Sequence, residues 1–401
     1  MNKLLRLLFA SLLLWSVGPA HAAAPAASQT PFVVPAVPAL GVHSYVLLDA
    51  RTGQVIAQQN ASARQAPGGA AKLMVAYVVF QELQAGRIAL DSRLRVSRVA
   101  WHEPGARMFL SPGSEVTVND LLQGLLVDGG NDAAATLAQG IAGTRSSFVS
   151  LMNADAHNLG LGNTHYSNVT GLPAPGLYTS AMDMAKLSRA LLTQFPQYAH
   201  YFTQKRFTWD GITQYNFDKL LWRDAHSEGL EPGYADRAAG FCMAAAARHG
   251  HTQLIAAVMG MAPQKGASLD QNLNALARVS EVLLNYGFSF YTTRELYKAG
   301  AKVGELRVNG GAQRKLAVGL AHALYVTLPR GEYSALAAKA EFSGTPAAPV
   351  AKGQKLGEMV VRLHGKTLAT APVVALQSVP RGNLWQRLKN AALDWLHSQK
   401  A

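Results

Sequence analysis

Leu73, Met74, Ala76, Tyr77, Val78 and Phe80 make the stretch from Arg64 to Leu83 apolar on most sides. That pattern predicts a helix running through a domain core. Pro67 and Gly68 precede it and Gly86 follows it, as start and stop signals. Upstream, residues 44–58 alternate as two strands around a turn at Thr52-Gly53. Downstream, Thr117 and Asp120 have the spacing of a capping box that opens a helix to about Val127. A second helix begins near Asn131-Asp132, and two apolar strands follow at Phe241 to Ala247 and Leu254 to Met259. From about 291 to 379 the helical period gives way to short alternating runs separated by turns at Asn309-Gly310-Gly311 and His364-Gly365. This predicts a small β-sandwich. Last, Leu384, Leu388, Ala391, Ala392, Trp395 and Leu396 share one face of a terminal helix whose other face carries Arg387, Lys389, Asn390 and Asp394. Such a helix fits an interfacial anchor, or one docked on the preceding domain.

The 401 residues, 49% hydrophobic, are ample for two or three domains. Residues 1–22 combine Lys3 and Arg6, a short apolar run and Ala20-His21-Ala22, and read as a signal peptide of an exported protein. Residues 23–40 are an Ala/Pro-rich arm or linker. The formal charge of +13 falls to +11 without the first 22 residues. For an exported chain, anionic lipid or cell wall suits that charge better than nucleic acid, for which no recognition motif is present. The single cysteine, Cys242, lies in an apolar strand and reads as a core residue. No metal or cofactor is expected: there is no H-E-x-x-H and no dinucleotide fingerprint, and H-G-K-T at 364–367 has Val360 where a phosphate loop needs glycine.

Lys72 is the only ionisable residue at the start of the first core helix. It either snorkels to water or faces a cleft. R-Q-A-P-G-G-A-A-K resembles the segment that carries S-x-x-K in the D-alanyl-D-alanine carboxypeptidase family of penicillin-binding proteins. There the lysine activates a serine one helical turn earlier. Here that place is Gly69. The family's S-G-N is matched by Gly129-Gly130-Asn131, where Asn131 either orients the lysine and substrate or simply caps a helix. The family's K-T-G is matched by Glu231-Pro232-Gly233, which reverses a charge and removes a hydroxyl and an N–H donor. Ala262 falls where many members carry a further cation, with Lys265 three residues on. The run from 147 to 185 matches the family's spacing and carries little chemistry of its own.

The resemblance implies an α/β (α+β) transpeptidase/β-lactamase-like domain over 41–288, with helices around a five-stranded antiparallel sheet. A β-sandwich over 291–379 and an amphipathic anchor helix over 381–399 follow. It implies an exported, periplasmic protein at the outer face of the inner membrane. With all three motifs altered, the leading expectation is a pseudoenzyme that binds peptidoglycan stem peptide or a cell-wall enzyme. The alternatives are a serine-type carboxypeptidase or related hydrolase with a rebuilt site, and a structural envelope protein. Lys72 and Glu231 are expected to touch, directly or through water. Otherwise Glu231 turns to solvent and Lys72 bonds Asn131.

Overall fold

The computed structural model describes residues 33–386. The segment expected to be a signal peptide, the first part of the Ala/Pro-rich arm and most of the expected terminal helix lie outside the described residues. Residues 33–43 form no helix or strand, and Val34, Val37, Leu40 and Val42 pack against the core.

The first domain is built on one antiparallel sheet. Its strands are β1 (Ser44–Asp49), β2 (Val55–Gln59), β3 (Ser227–Tyr234), β4 (Phe241–His249) and β5 (Thr252–Met261), in the order β2-β1-β5-β4-β3. Side chains alternate across β4 with the two-residue period of a strand. Cys242, Ala244 and Ala246 enter the core on one face, while Met243, Ala245 and Ala247 enter a second core on the other. Because both faces are covered, β4 reads as a continuous apolar run. Its alanines are small, and the layers can approach closely.

Helix α1 (Lys72–Gln84) lies inside the first core, every residue from Lys72 to Phe80 being buried. A 3-10 turn, Gly68–Ala71, leads into it, so regular α-helix begins only at the lysine. Around it stand α2 (Val118–Leu126), α3 (Asn131–Ala142), α4 (Arg145–Asn158) and α5 (Ala181–Gln194). Thr117 caps α2, its hydroxyl accepting from the Asp120 N–H at 3.1 Å. Across the sheet, α6 (Leu269–Phe290) starts from a capping box of Ser268 and Gln271 and covers the second core. No helix among the described residues is long and apolar enough to cross a membrane.

Directly after α6 comes β6 (Tyr291–Tyr297), then β7 (Lys302–Arg307), β8 (Lys315–Leu320), β9 (Leu324–Pro329), β10 (Leu336–Phe342), β11 (Lys355–Leu363) and β12 (Lys366–Ala375). They form a five-stranded sheet, β7-β8-β12-β11-β10, and a two-stranded β6-β9 ribbon around a third core. In the H-G-K-T segment, His364-Gly365 is the hairpin turn joining β11 to β12, and Lys366 and Thr367 open β12. Asp49 lies at the junction of the two domains. Its carboxylate accepts from the Thr293 hydroxyl at 2.5 Å and from the Thr52 N–H at 2.7 Å.

Candidate functional site

Three elements converge on a cavity of about 340 Å³. The 3-10 turn and the start of α1 supply Gly69 and Lys72. The loop ahead of α3 supplies Gly129 and Asn131. The sheet's edge strand β3 supplies Glu231, Pro232 and Gly233. Every candidate residue from the sequence therefore lines one cleft. Pro232 is tolerated inside β3 because an edge strand has one side with no ladder to complete.

Lys72 is only 4% exposed, so it does not snorkel to the surface. Its amine donates to the Thr170 carbonyl at 3.2 Å. Burial lowers its pKa, and Glu231 opposes that shift. Glu231 is 3% exposed, and burial pushes its carboxyl well above the usual carboxylate range. Lys72 pulls it back, while Asp218 pushes it further up. No direct hydrogen bond or ion pair joins Lys72 to Glu231 among the described residues. The two groups influence each other electrostatically without a direct bond. Glu231 does not turn to solvent either, and Lys72 does not bond Asn131.

Asn131 has a different task from the capping role. The N-cap of α3 is Gly130, with Asn131 as the first helical residue. The Asn131 amide donates to the Pro104 carbonyl at 2.6 Å, and its Oδ1 is buried with no partner. One residue earlier, Gly129 has φ +62°, where a side chain is strained. A Cβ there would also stand 3.1 Å from the Phe217 ring. Phe217 thus covers the spot that a serine at 129 would use. Gly69 is less restricted: a Cβ would lie 3.3 Å from the Pro232 carbonyl oxygen and 3.7 Å from the Lys72 amine. No hydroxyl stands there. The thiol of Cys242 donates to the Pro67 carbonyl, and its pKa is pushed up to about 12 by burial and by Glu231.

The profile described as "D-alanyl-D-alanine carboxypeptidase" matches residues 32–263, and that of "Penicillin-binding protein 5, C-terminal domain" matches residues 291–381. D-alanyl-D-alanine carboxypeptidase DacA of Escherichia coli K12 is 35% identical over 364 residues, covering 89% of this chain and 88% of that protein. DacD of the same organism is 36% identical over 380 residues, covering 93% and 94%. Penicillin-binding protein 5 of Haemophilus influenzae superposes with a TM-score of 0.79 at 31% identity, over 87% of this chain and all of that one. The chain belongs to the D-alanyl-D-alanine carboxypeptidase family.

Within this carboxypeptidase-family cleft, several residues escape sequence reasoning. Thr170, Gly171 and Leu172 come from the run credited with little chemistry, yet they form a wall and supply the acceptor for Lys72. Phe217, Leu269 and Leu273 make the opposite side apolar. Asp218, behind the wall, is fully buried, and burial pushes its pKa up to about 7. The N-V-T-G-L turn around Thr170 was the one available signal. A phenylalanine and two helix leucines look like ordinary core residues in sequence. Lys265 lines a neighbouring depression, and this cleft does not include it.

Proposed function

We propose that this chain is a carboxypeptidase-family protein of peptidoglycan metabolism that forms no acyl-enzyme. It acts by binding peptidoglycan stem peptide or a cell-wall enzyme. The observation that carries this reading is the position one turn before Lys72: Gly69 offers no hydroxyl to a substrate carbonyl. Loss of the serine in another serine hydrolase costs about a million-fold in rate. The oxyanion hole and binding alone then retain only about 10³–10⁴ over water. Glu231 adds a second obstacle, since it stands where the family carries the cation for the substrate carboxylate. The signal-peptide-like start and basic tail support export to the periplasm, at the outer face of the inner membrane.

Incubated with a penicillin, the purified protein should show no covalent mass shift, while isolated cell-wall sacculi should retain it in a pull-down competed by soluble muropeptides. Gly69→Ser alone should restore little labelling, because Gly129 and Glu231 remain. A second reading, a hydrolase with a rebuilt site, draws on the retained Lys72, whose lowered pKa suits a general base. A penicillin adduct on the unaltered protein, or D-alanine released from a D-alanyl-D-alanine peptide, would establish that reading instead. Failure to bind sacculi or a cell-wall enzyme would favour a structural envelope protein.

A further inference from the structure

The cleft does not stand alone. Tyr234 and Leu269, which line it, also line a second depression of about 630 Å³, so the two cavities share one divide. That divide is open to solvent, with Tyr234 44% and Leu269 52% exposed. The Tyr234 ring packs on Phe241 at 4.5 Å between centroids, and Phe241 and Pro263 extend the apolar lining. The same depression is lined by Arg237 and Lys265. A further depression of about 400 Å³ shares the wall formed by residues 264–267 and adds Arg278. All three cations are exposed, and none makes a hydrogen bond or ion pair with another described residue. No acidic side chain among the described residues lines either depression. The acids adjacent in sequence are engaged elsewhere. Asp236 accepts from the Ala238 N–H at 2.8 Å and the Ala239 N–H at 2.7 Å, and Asp270 pairs with Lys219 at 2.7 Å.

Unpaired cations beside an apolar divide suit a ligand that is anionic at some positions and apolar at others, because complementary charge sets which partner is chosen. We propose that the cleft and the adjoining depression form one groove for an extended acidic peptide, with its end in the cleft and its carboxylate side chains at Arg237 and Lys265. The cleft is the smaller cavity, and a chain end placed there leaves the preceding residues to cross the divide at Tyr234 and Leu269. Exposed ion pairs are individually weak, so the preference for acid is modest and falls with salt. This inference rests on the reading of the chain as a binding member of its family and adds the chemistry of the peptide bound.

The test titrates the full chain calorimetrically with two acetylated peptides ending in D-alanyl-D-alanine, one with two glutamates ahead of that pair and the other with two glutamines. At low salt the glutamate peptide should bind at least about threefold more tightly, and the ratio should narrow as salt rises. Arg237→Gln/Lys265→Gln should bring the ratio near unity. Lys352→Gln/Lys366→Gln removes the same charge from exposed sites on the sandwich and should leave the ratio in place. Equal binding of the two peptides by the unaltered protein overturns the proposal, whether or not the variants fold. So does an equal loss of preference in both double variants, which would assign it to net charge alone. A preference unchanged in Arg237→Gln/Lys265→Gln, or failure of the glutamate peptide to bind at about millimolar concentration, overturns it as well. Sacculus retention combined with equal binding of the two peptides sinks the acidic groove and leaves the proposed function standing. A penicillin adduct would instead sink the proposed function, whichever peptide wins.

Discussion

At the scale of single residues, Lys72 and Glu231 behave as a unit although they do not touch. Each is buried, and each shifts the other's ionisation toward the charged form. Lys72→Met would remove the only effect of Lys72 on Glu231, leaving a buried carboxyl to hold its proton or unfold the site. With no direct bond between them, that loss should stay below the about 3–5 kcal/mol typical of a buried pair in contact. Removing both charges leaves no orphan, so Lys72→Met/Glu231→Gln should be more stable than Lys72→Met alone. Because the folded Glu231 carboxyl is raised further in the single variant, its deficit should grow as pH rises. Urea denaturation of the four proteins measures the coupling, and strictly additive losses would reject it. The residue types at these positions were legible in the sequence, as was their meeting in one cleft. Their partners were not. Lys72 finds a backbone carbonyl, and any residue has one, so no letter in the sequence marks Thr170 as that acceptor.

Secondary structure was easier to read than side-chain partnership, because periodicity reports burial directly. The unbroken apolar run of β4 and the apolar surround of α1 follow from enclosure on both sides, and both were visible in the chain. Local capping was visible too, at Thr117. Short irregular segments were less legible, since their conformation answers to the walls they fit between. The stretch after Asn216 shows this. Phe217 closes over Gly129, and Asp218 caps a 3-10 turn by accepting from the Leu220 N–H at 2.8 Å, with its other oxygen buried and unpartnered. Burial raises the Asp218 pKa to about 7, well above the ordinary aspartate value near 4. An acid raised in the folded state holds its proton there while the unfolded chain releases it. Its contribution to stability is therefore full below about pH 4 and is lost as pH rises toward about 7. Asp218→Asn keeps the capping oxygen and cannot ionise. Relative to the unaltered protein it should gain on the order of 2 kcal/mol between about pH 5 and about pH 8. Unfolding free energies measured across that range test this, and parallel pH profiles for the two proteins would refute it.

For the whole molecule, the two domains meet through a buried polar junction, with Asp49, Thr52, Thr293 and Thr327 bonded to one another. From that junction the chain continues through the sandwich to the last described residues, 382–386. The Gly382 N–H still donates to the Gly310 carbonyl at 2.9 Å, but Leu384 is 69% exposed and Trp385 82% exposed. A helix docked on the sandwich would bury such residues at its start. An exposed tryptophan at the head of a segment that carries Arg387, Lys389 and Lys400 suits the water–lipid boundary instead. The sequence alone left docking and anchoring open, because an amphipathic face looks the same in both. Removing residues 384–401 keeps every backbone bond of the sandwich up to Gly382, so the truncated protein should fold normally. It should also lose binding to vesicles containing anionic phospholipid. Each basic residue near such a surface is worth about 1 kcal/mol, so the full chain should bind less as salt rises. Co-sedimentation of both forms with vesicles across a salt series decides the matter, and equal sedimentation of the two would place the membrane contact elsewhere or nowhere.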